Sequence, residues 1–399
     1  MLQYPLMSTS LSWRAEFGLL LATALYPLSS IDSQQPKPDF DWHAFLALVA
    51  RHNVTPGVYL NLSRYARHEV PAVILDELKR RYRQNSFRAL TLTGELIRLA
   101  RLFERETIPL WPLKGPALSQ HLFGDFSLRS AGDLDILVPR AAIAAGEALL
   151  LSAGYQRQAP AAPLSPRQAQ VYFARYHHFG YLHPEKKIAI ELHWSAILPA
   201  LLPPAAGETL LSRSRSSPIN GVALQFFAPE DLLIYLALHG AMHNWARLKW
   251  LIDFAACLCS DPPLAWEVVS ERAHSFGVER PVAQGVLLAQ RLLKLPVPEP
   301  LRPVIAADPV ISRLADSAVH TLLQAQDDFA VHGLRNGLSR VTYLLNLKKD
   351  WRYQWAQLTT PLIEPQDWAD QPLPDVLFPL YYGLRPFLWL RRYYGRRRA

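Results

Sequence analysis

Asp133 and Asp135 stand one residue apart in the run Gly132-Asp133-Leu134-Asp135-Ile136-Leu137-Val138. On a strand, alternate side chains leave the same face, so both carboxylates point one way while Leu134, Ile136 and Val138 point the other. Two carboxylates side by side in an apolar strand cost several kcal/mol unless cations neutralise them. Alone, such a pair reads as a solvated strand end. A second alternating run, Ile188-Ala189-Ile190-Glu191-Leu192-His193-Trp194, changes that reading. It puts Glu191 and His193 on one face, and Glu191 supplies a third carboxylate. Three carboxylates suit Mg²⁺ or Mn²⁺, which prefer carboxylate oxygens together with phosphates. The chemistry this points to is metal-assisted attack at a phosphoryl group.

The phosphate side is sought upstream, at Lys114-Gly115. Glycine lets backbone come close to phosphates, and a helix beginning near Pro116 would aim its first N–H groups at them. Lys114 and Arg129 are the cationic candidates. His239 and His243 are four residues apart and share a helical face. No Glu follows His239 as zinc-protease spacing requires, so they read as buried hydrogen-bonded histidines or, with Arg247 and Lys249, as pocket lining. His177, His178 and His183 read as structural or surface groups.

These residues need positioning elements. Leucines and isoleucines recur at helical spacing through residues 1–107, with Asp41 as an N-cap before Phe45, Leu46 and Val49. From residue 108 the pattern becomes a short apolar run, a helix near Pro116, the Asp-x-Asp strand, and a helix over 141–153 ending at Gly154. Strands over 171–183 and 188–194 follow, joined by the turn at 184–187. A Pro-, Ser- and Arg-rich linker over 199–220 then leads to helices from Pro229 to about residue 347. The expected fold class is α+β, a small mixed sheet with helices flanked by helical regions. The expected divisions are 1–107 (helical), 108–228 (core), 229–350 (helical) and 351–399 (a Pro-, aromatic- and Arg-rich tail docking on the body).

Taken together, Leu113-Lys114-Gly115, Arg129, Gly132–Val138 and Glu191-Leu192-His193-Trp194 resemble the DNA-polymerase-β-like nucleotidyltransferases. More closely, the chain resembles a bacterial family of uncharacterised nucleotidyltransferases. Pro229-Glu230-Asp231, His239-Gly240, His243, Leu248-Lys249-Trp250, Asp253, Asp367-Trp368, Leu373-Pro374 and Arg385-Pro386 share in that likeness. The resemblance implies transfer of a nucleoside monophosphate from an NTP to an acceptor, with release of pyrophosphate. Asp133, Asp135 and Glu191 would be the catalytic metal ligands; Lys114, Gly115 and Arg129 would hold the nucleotide phosphates. The sequence departs from the wider pattern at Gly115-Pro116, where Gly-Ser is usual, so a serine contact to phosphate does not carry over.

The acceptor is expected to be a small molecule, glycan or peptide. Two alternatives stay open: a toxin-like enzyme modifying tRNA, and a catalytically decayed protein that binds NTP or acts as a scaffold. A formal charge of +8 favours anionic partners, though Arg385, Arg391, Arg392, Arg396, Arg397 and Arg398 concentrate it in the tail. That tail suits docking on the body, a membrane interface or RNA. No segment has the length and apolarity of a membrane span. Cys257 and Cys259, the only cysteines, form no disulfide framework, which fits a cytoplasmic protein, with peripheral membrane attachment through the tail as the variant.

Overall fold

The computed structural model describes residues 15–26, 39–161, 163–324, 334–362 and 364–395. It opens on helices α1 (Ala15–Ala24), α2 (Trp42–His52), α3 (Thr55–Tyr65) and α4 (Ala72–Arg105). The Asp41 side chain accepts hydrogen bonds from the backbone N–H groups of His43 and Ala44, as its N-cap position requires. The 34-residue α4 serves two cores. Its Ile74 and Leu78 pack with the other helices, while Leu92, Leu96, Leu99 and Phe103 pack beneath the sheet.

The central segment runs β1 (Trp111–Pro112), α5 (Gly115–Phe123), β2 (Asp133–Leu137), α6 (Ile143–Ser152), β3 (Gln156–Ala159), α7 (Pro166–Arg175), β4 (His178–His183) and β5 (Ile188–His193). Its sheet has the order β1-β2-β5-β4-β3. Strands β2 and β5 pair in parallel, with Asp135 opposite Glu191; β1–β2, β4–β5 and β3–β4 are antiparallel. Leu134, Ile136, Ile190 and Leu192 form the apolar face of this sheet, packed on α4 and α6. The fold is α+β.

Two sequence expectations need correction. Residues 171–175 end a helix and do not begin a strand. Ser165 and Gln168 form a reciprocal capping box with Pro166 in the first turn, and this local signal outweighs the alternation that follows. The stretch 199–220 is not a plain linker: it holds α8 (Pro204–Ser212) and β6 (Arg215–Ile219), which pairs with β7 (Val222–Phe226). Asn220 and Gly221 both have positive φ at the hairpin turn, as a two-residue turn of this kind demands. The polar edge strand β3 gave no hydrophobic signal at all.

Helices α9 (Pro229–Met242), α10 (Leu248–Leu258), α11 (Trp266–Ser275), α12 (Glu279–Leu293), α13 (Arg302–Ala307), α14 (Pro309–Leu323) and α15 (Leu334–Asn346) follow. Much of this bundle shares one core with α1–α3. The tail adds α16 (Trp351–Thr359), α17 (Pro365–Asp370) and α18 (Leu380–Gly395). Trp368, Phe378 and Tyr381 are buried in the sheet core, whereas Trp351, Trp355, Phe387 and Trp389 are exposed. Arg396, Arg397 and Arg398 lie outside the described residues. No helix among the described residues is long and apolar enough to cross a membrane.

Candidate active site

Parallel pairing of β2 with β5 brings Asp133, Asp135 and Glu191 to one cavity of about 270 Å³. Lys114, Arg129, His177, His178, His193, His239, His243, Lys249 and Trp250 also line it. The strands supply the carboxylates, the β1–α5 junction supplies Lys114, and α9 and α10 close the opposite side. A larger groove of about 440 Å³, between Leu258–Trp266 and Pro296–Pro300, brings together no comparable set of charged groups.

Asp135 is buried, and its Oδ1 lies 2.8 Å from the Lys114 Nζ. Burial opposes ionisation of Asp135, but Lys114 and His193 outweigh it and hold the carboxyl well below the usual range. Burial likewise opposes the charge on Lys114, yet Asp135 raises its pKa overall. The His193 Nε2 lies 3.4 Å from Asp135 Oδ1 and 3.2 Å from Glu191 Oε2. Against burial, those carboxylates push the His193 pKa up, and the His193 hydrogen bond pulls Glu191 down. Asp133 behaves differently. Burial pushes its carboxyl up, and the neighbouring Asp135 and Glu191 push it further.

Arg129 lines the cavity from a fully desolvated position. Its Nε donates to both oxygens of Asp253 at 3.0 and 2.9 Å, and both side chains are less than 5% exposed. Burial pushes the Asp253 carboxyl up while Arg129 opposes that push. Lys249, one helical turn before Asp253 on α10, has its pKa lowered to about 8, first by burial and then by Arg129. Gly115 has a φ of +73°, and a Cβ there would stand 3.4 Å from the Asp133 carbonyl oxygen. Its structural task is therefore to bring the start of α5 against β2, and no side chain caps that helix start.

His239 and His243 do share the cavity wall. Their rings lie 4.9 Å apart, and the His243 ring stacks on Trp250 at 4.9 Å. Burial lowers both, His243 to about 4, so neutral imidazoles face the site. Arg247 is placed elsewhere: it donates to the backbone carbonyl of Arg51 and ties α10 to α2, and it is not among the lining residues. His177 and His178, read from sequence as structural or surface groups, are cavity residues. Burial holds His177 well below the normal histidine value and lowers His178 to about 4. The missed signal was positional: His178 pairs in register with His193, which places it beside the Glu191 strand.

The donor set suits a divalent cation. Asp135, Glu191 and His193 bring ligand atoms within 4.8 Å of one another. Arg129 is neutralised by Asp253, so three carboxylates face the ammonium groups of Lys114 and Lys249. A polyanionic ligand entering a cavity lined by three carboxylates needs added positive charge beside them.

Residues 38–294 match the family described as uncharacterised nucleotidyltransferase. The chain belongs to this nucleotidyltransferase family. No curated protein matches it. Among solved structures, ANT(2")-Ia in complex with adenylyl-2"-tobramycin aligns over 46% of this chain and 95% of the other, with 13% identity and a TM-score of 0.31. An antigenic nucleotidyltransferase-like protein from Paracoccidioides brasiliensis aligns over 54% of this chain and 90% of the other, with 14% identity and a TM-score of 0.30. Membership assigns the nucleotidyltransferase class to a chain whose cavity gathers three carboxylates with basic side chains.

Proposed function

We propose that this nucleotidyltransferase transfers a nucleoside monophosphate from an NTP to an acceptor hydroxyl on a small molecule, glycan or peptide, releasing pyrophosphate. The observation that carries the reading is the register of β2 and β5, which sets Glu191 directly beside Asp135 with Asp133 two residues away. Asp133, Asp135 and Glu191 would hold Mg²⁺ or Mn²⁺, which when bound neutralises the triphosphate and the departing pyrophosphate. Lys114 lies at the start of α5, where its ammonium can move from Asp135 to a phosphate oxygen. Lys249 offers a second cationic contact. Arg129, fixed by Asp253, presents its remaining N–H groups from a rigid position. Glu191 is half-buried and held ionised, which suits it to accept the acceptor proton, directly or through water. His239, His243 and Trp250 form a neutral wall on which a base or acceptor ring can stack.

Catalysis of this kind rests on positioning and charge neutralisation. The test is incubation of purified protein with each radiolabelled NTP, Mg²⁺ or Mn²⁺, and a lysate of the host cell. The Asp133→Ala/Asp135→Ala double variant is the control. Label reaching a product only with the wild type supports transfer and identifies the acceptor. Labelled product formed equally by the double variant would remove these carboxylates from the mechanism. An acceptor that proves to be RNA, with transfer falling steeply as salt rises, would replace the small acceptor by tRNA-class substrates.

A further inference from the structure

Beside the carboxylates the cavity holds a second cluster of different chemistry. His177 immediately precedes β4, His178 begins it, and His193 ends β5 opposite His178. One ring nitrogen from each of the three lies within 4.8 Å of the other two. The ring centroids are 4.7 Å apart for His177 and His178, 5.2 Å for His177 and His193, and 4.9 Å for His178 and His193. The Nδ1 atoms of all three are buried from solvent and have no hydrogen-bond partner among the described residues. His193 itself is only 1% exposed. A buried polar nitrogen without a partner is costly, and three such nitrogens on rings this close together mark a place that a shared ligand would satisfy.

The nature of that ligand follows from the donors. Imidazole nitrogen suits zinc-class ions, whereas Mg²⁺ selects oxygen and keeps its waters. Zinc–nitrogen bonds of about 2 Å in a tetrahedral shell set ligand nitrogens a little over about 3 Å apart, so rotation of the rings by roughly an ångström closes the site. An anion is disfavoured, because Glu191 and Asp135 already face this group from β5 and β2.

We propose that His177, His178 and His193 form an imidazole-ligated site for a zinc-class divalent ion, adjoining the carboxylate site and chemically distinct from it. The open coordination position of a three-histidine site leaves room for water or a substrate oxygen. The proposal stands on the histidine geometry and does not require that nucleotidyl transfer be the activity.

The experiment uses chelator-treated full-length protein titrated with Zn²⁺ against a chromophoric chelator, with excess Mg²⁺ present to occupy oxygen donors. The wild type is expected to take up Zn²⁺ in that excess. The His177→Ala/His178→Ala variant is expected to bind it at least about 100-fold more weakly, since two first ligands go where loss of a supporting residue alone costs 10–100-fold. His274→Ala, which removes an exposed histidine outside the cavity, should leave Zn²⁺ affinity within about 3-fold of the wild type, because it takes away neither a ligand nor a neighbouring charge. Wild-type affinity in the double histidine variant overturns the proposal. Should that variant fail to fold by circular dichroism, X-ray absorption of the Zn²⁺-loaded wild type decides: multiple-scattering from several imidazoles supports the site, and an oxygen-only shell overturns it. Zn²⁺ binding without any nucleotidyl transfer would sink the proposed function and leave this site standing.

Discussion

Replacing Asp253 by Asn tests how the cavity's cationic side is held. The substitution keeps size and shape but removes the charge that Arg129 faces through two hydrogen bonds of 3.0 and 2.9 Å. Arg129 cannot lose its own proton at accessible pH, and it is 5% exposed, so the guanidinium would be left buried without a counter-charge. Breaking a buried pair from one side costs about 3–5 kcal/mol, whereas replacing both partners by apolar groups of similar volume is close to neutral. Asp253→Asn should therefore destabilise by about 3–5 kcal/mol, and Arg129→Met/Asp253→Leu by clearly less than that single change. The coupling between the two positions should be of the same several-kcal/mol order.

The assay is reversible urea unfolding followed by tryptophan fluorescence on wild type, Asp253→Asn, and the cycle of Arg129→Met, Asp253→Leu and Arg129→Met/Asp253→Leu. NTP binding measured in parallel separates the two roles of Arg129. The double variant should regain stability but not nucleotide affinity, because it rebuilds the packing without a cation at the cavity wall. A loss below about 1 kcal/mol for Asp253→Asn, or strict additivity in the cycle, would refute the reasoning; either would place the pair in an effectively aqueous environment.

Other perturbations follow from local geometry. Gly115→Ala forces a left-handed backbone at φ +73° onto an L side chain and should cost about 1–2 kcal/mol in the same unfolding assay; unchanged stability would mean that the β1–α5 junction has relaxed. Gly240→Ala would put a Cβ 2.5 Å from the indole of Trp245, which is fully buried, and overpacking of that kind should cost about 1–3 kcal/mol. A wild-type urea midpoint would show the indole free to shift. His52 is buried with its pKa lowered to about 3, by burial first and then by Arg51 and Arg247. Below pH about 6.5 the unfolded chain takes up a proton there that the folded chain refuses, so stability is undiminished above that pH and falls as the pH drops toward the folded value. The loss from this one residue is about 2 kcal/mol at pH 5, and His52→Gln should flatten the slope of stability against pH by up to one proton. An unaltered slope would mean that His52 titrates normally.

Much of the carboxylate geometry was legible because it rests on local pattern. Alternation fixed the faces of β2 and β5 in sequence, and the structure adds that the two strands pair in parallel with Asp135 opposite Glu191. Gly154 closes the helix before β3 as its type suggests, with a φ of +90°. What was not legible lay where two local signals competed. The Ser165–Gln168 capping box starts a helix that runs into the expected strand, and the short β-pattern at 215–226 was masked by Pro, Ser and Arg. Arg129 posed a different problem. Its type and position suggested a free phosphate ligand, but the partner that holds it lies 124 positions away on α10, a distance no local pattern spans.

The histidines show why residue type alone misjudged the site. His239 and His243, singled out by their spacing, spend much of their surface on each other and on Trp250. His177 and His178 carry no diagnostic spacing, since neighbours along a strand point to opposite faces. They become a cluster because His177 lies just outside β4, so its ring is released from that alternation and turns toward His178 and His193. The sheet thus presents oxygen donors from β2 and β5 and nitrogen donors from the β4 edge of the same cavity, with His193 common to both groups. A substitution of His193 should therefore disturb Mg²⁺ and Zn²⁺ responses together, whereas His177→Ala/His178→Ala should disturb only the second. Loss of the Zn²⁺ response alone in the double histidine variant would establish two ion positions, and loss of both responses in it would reduce them to one.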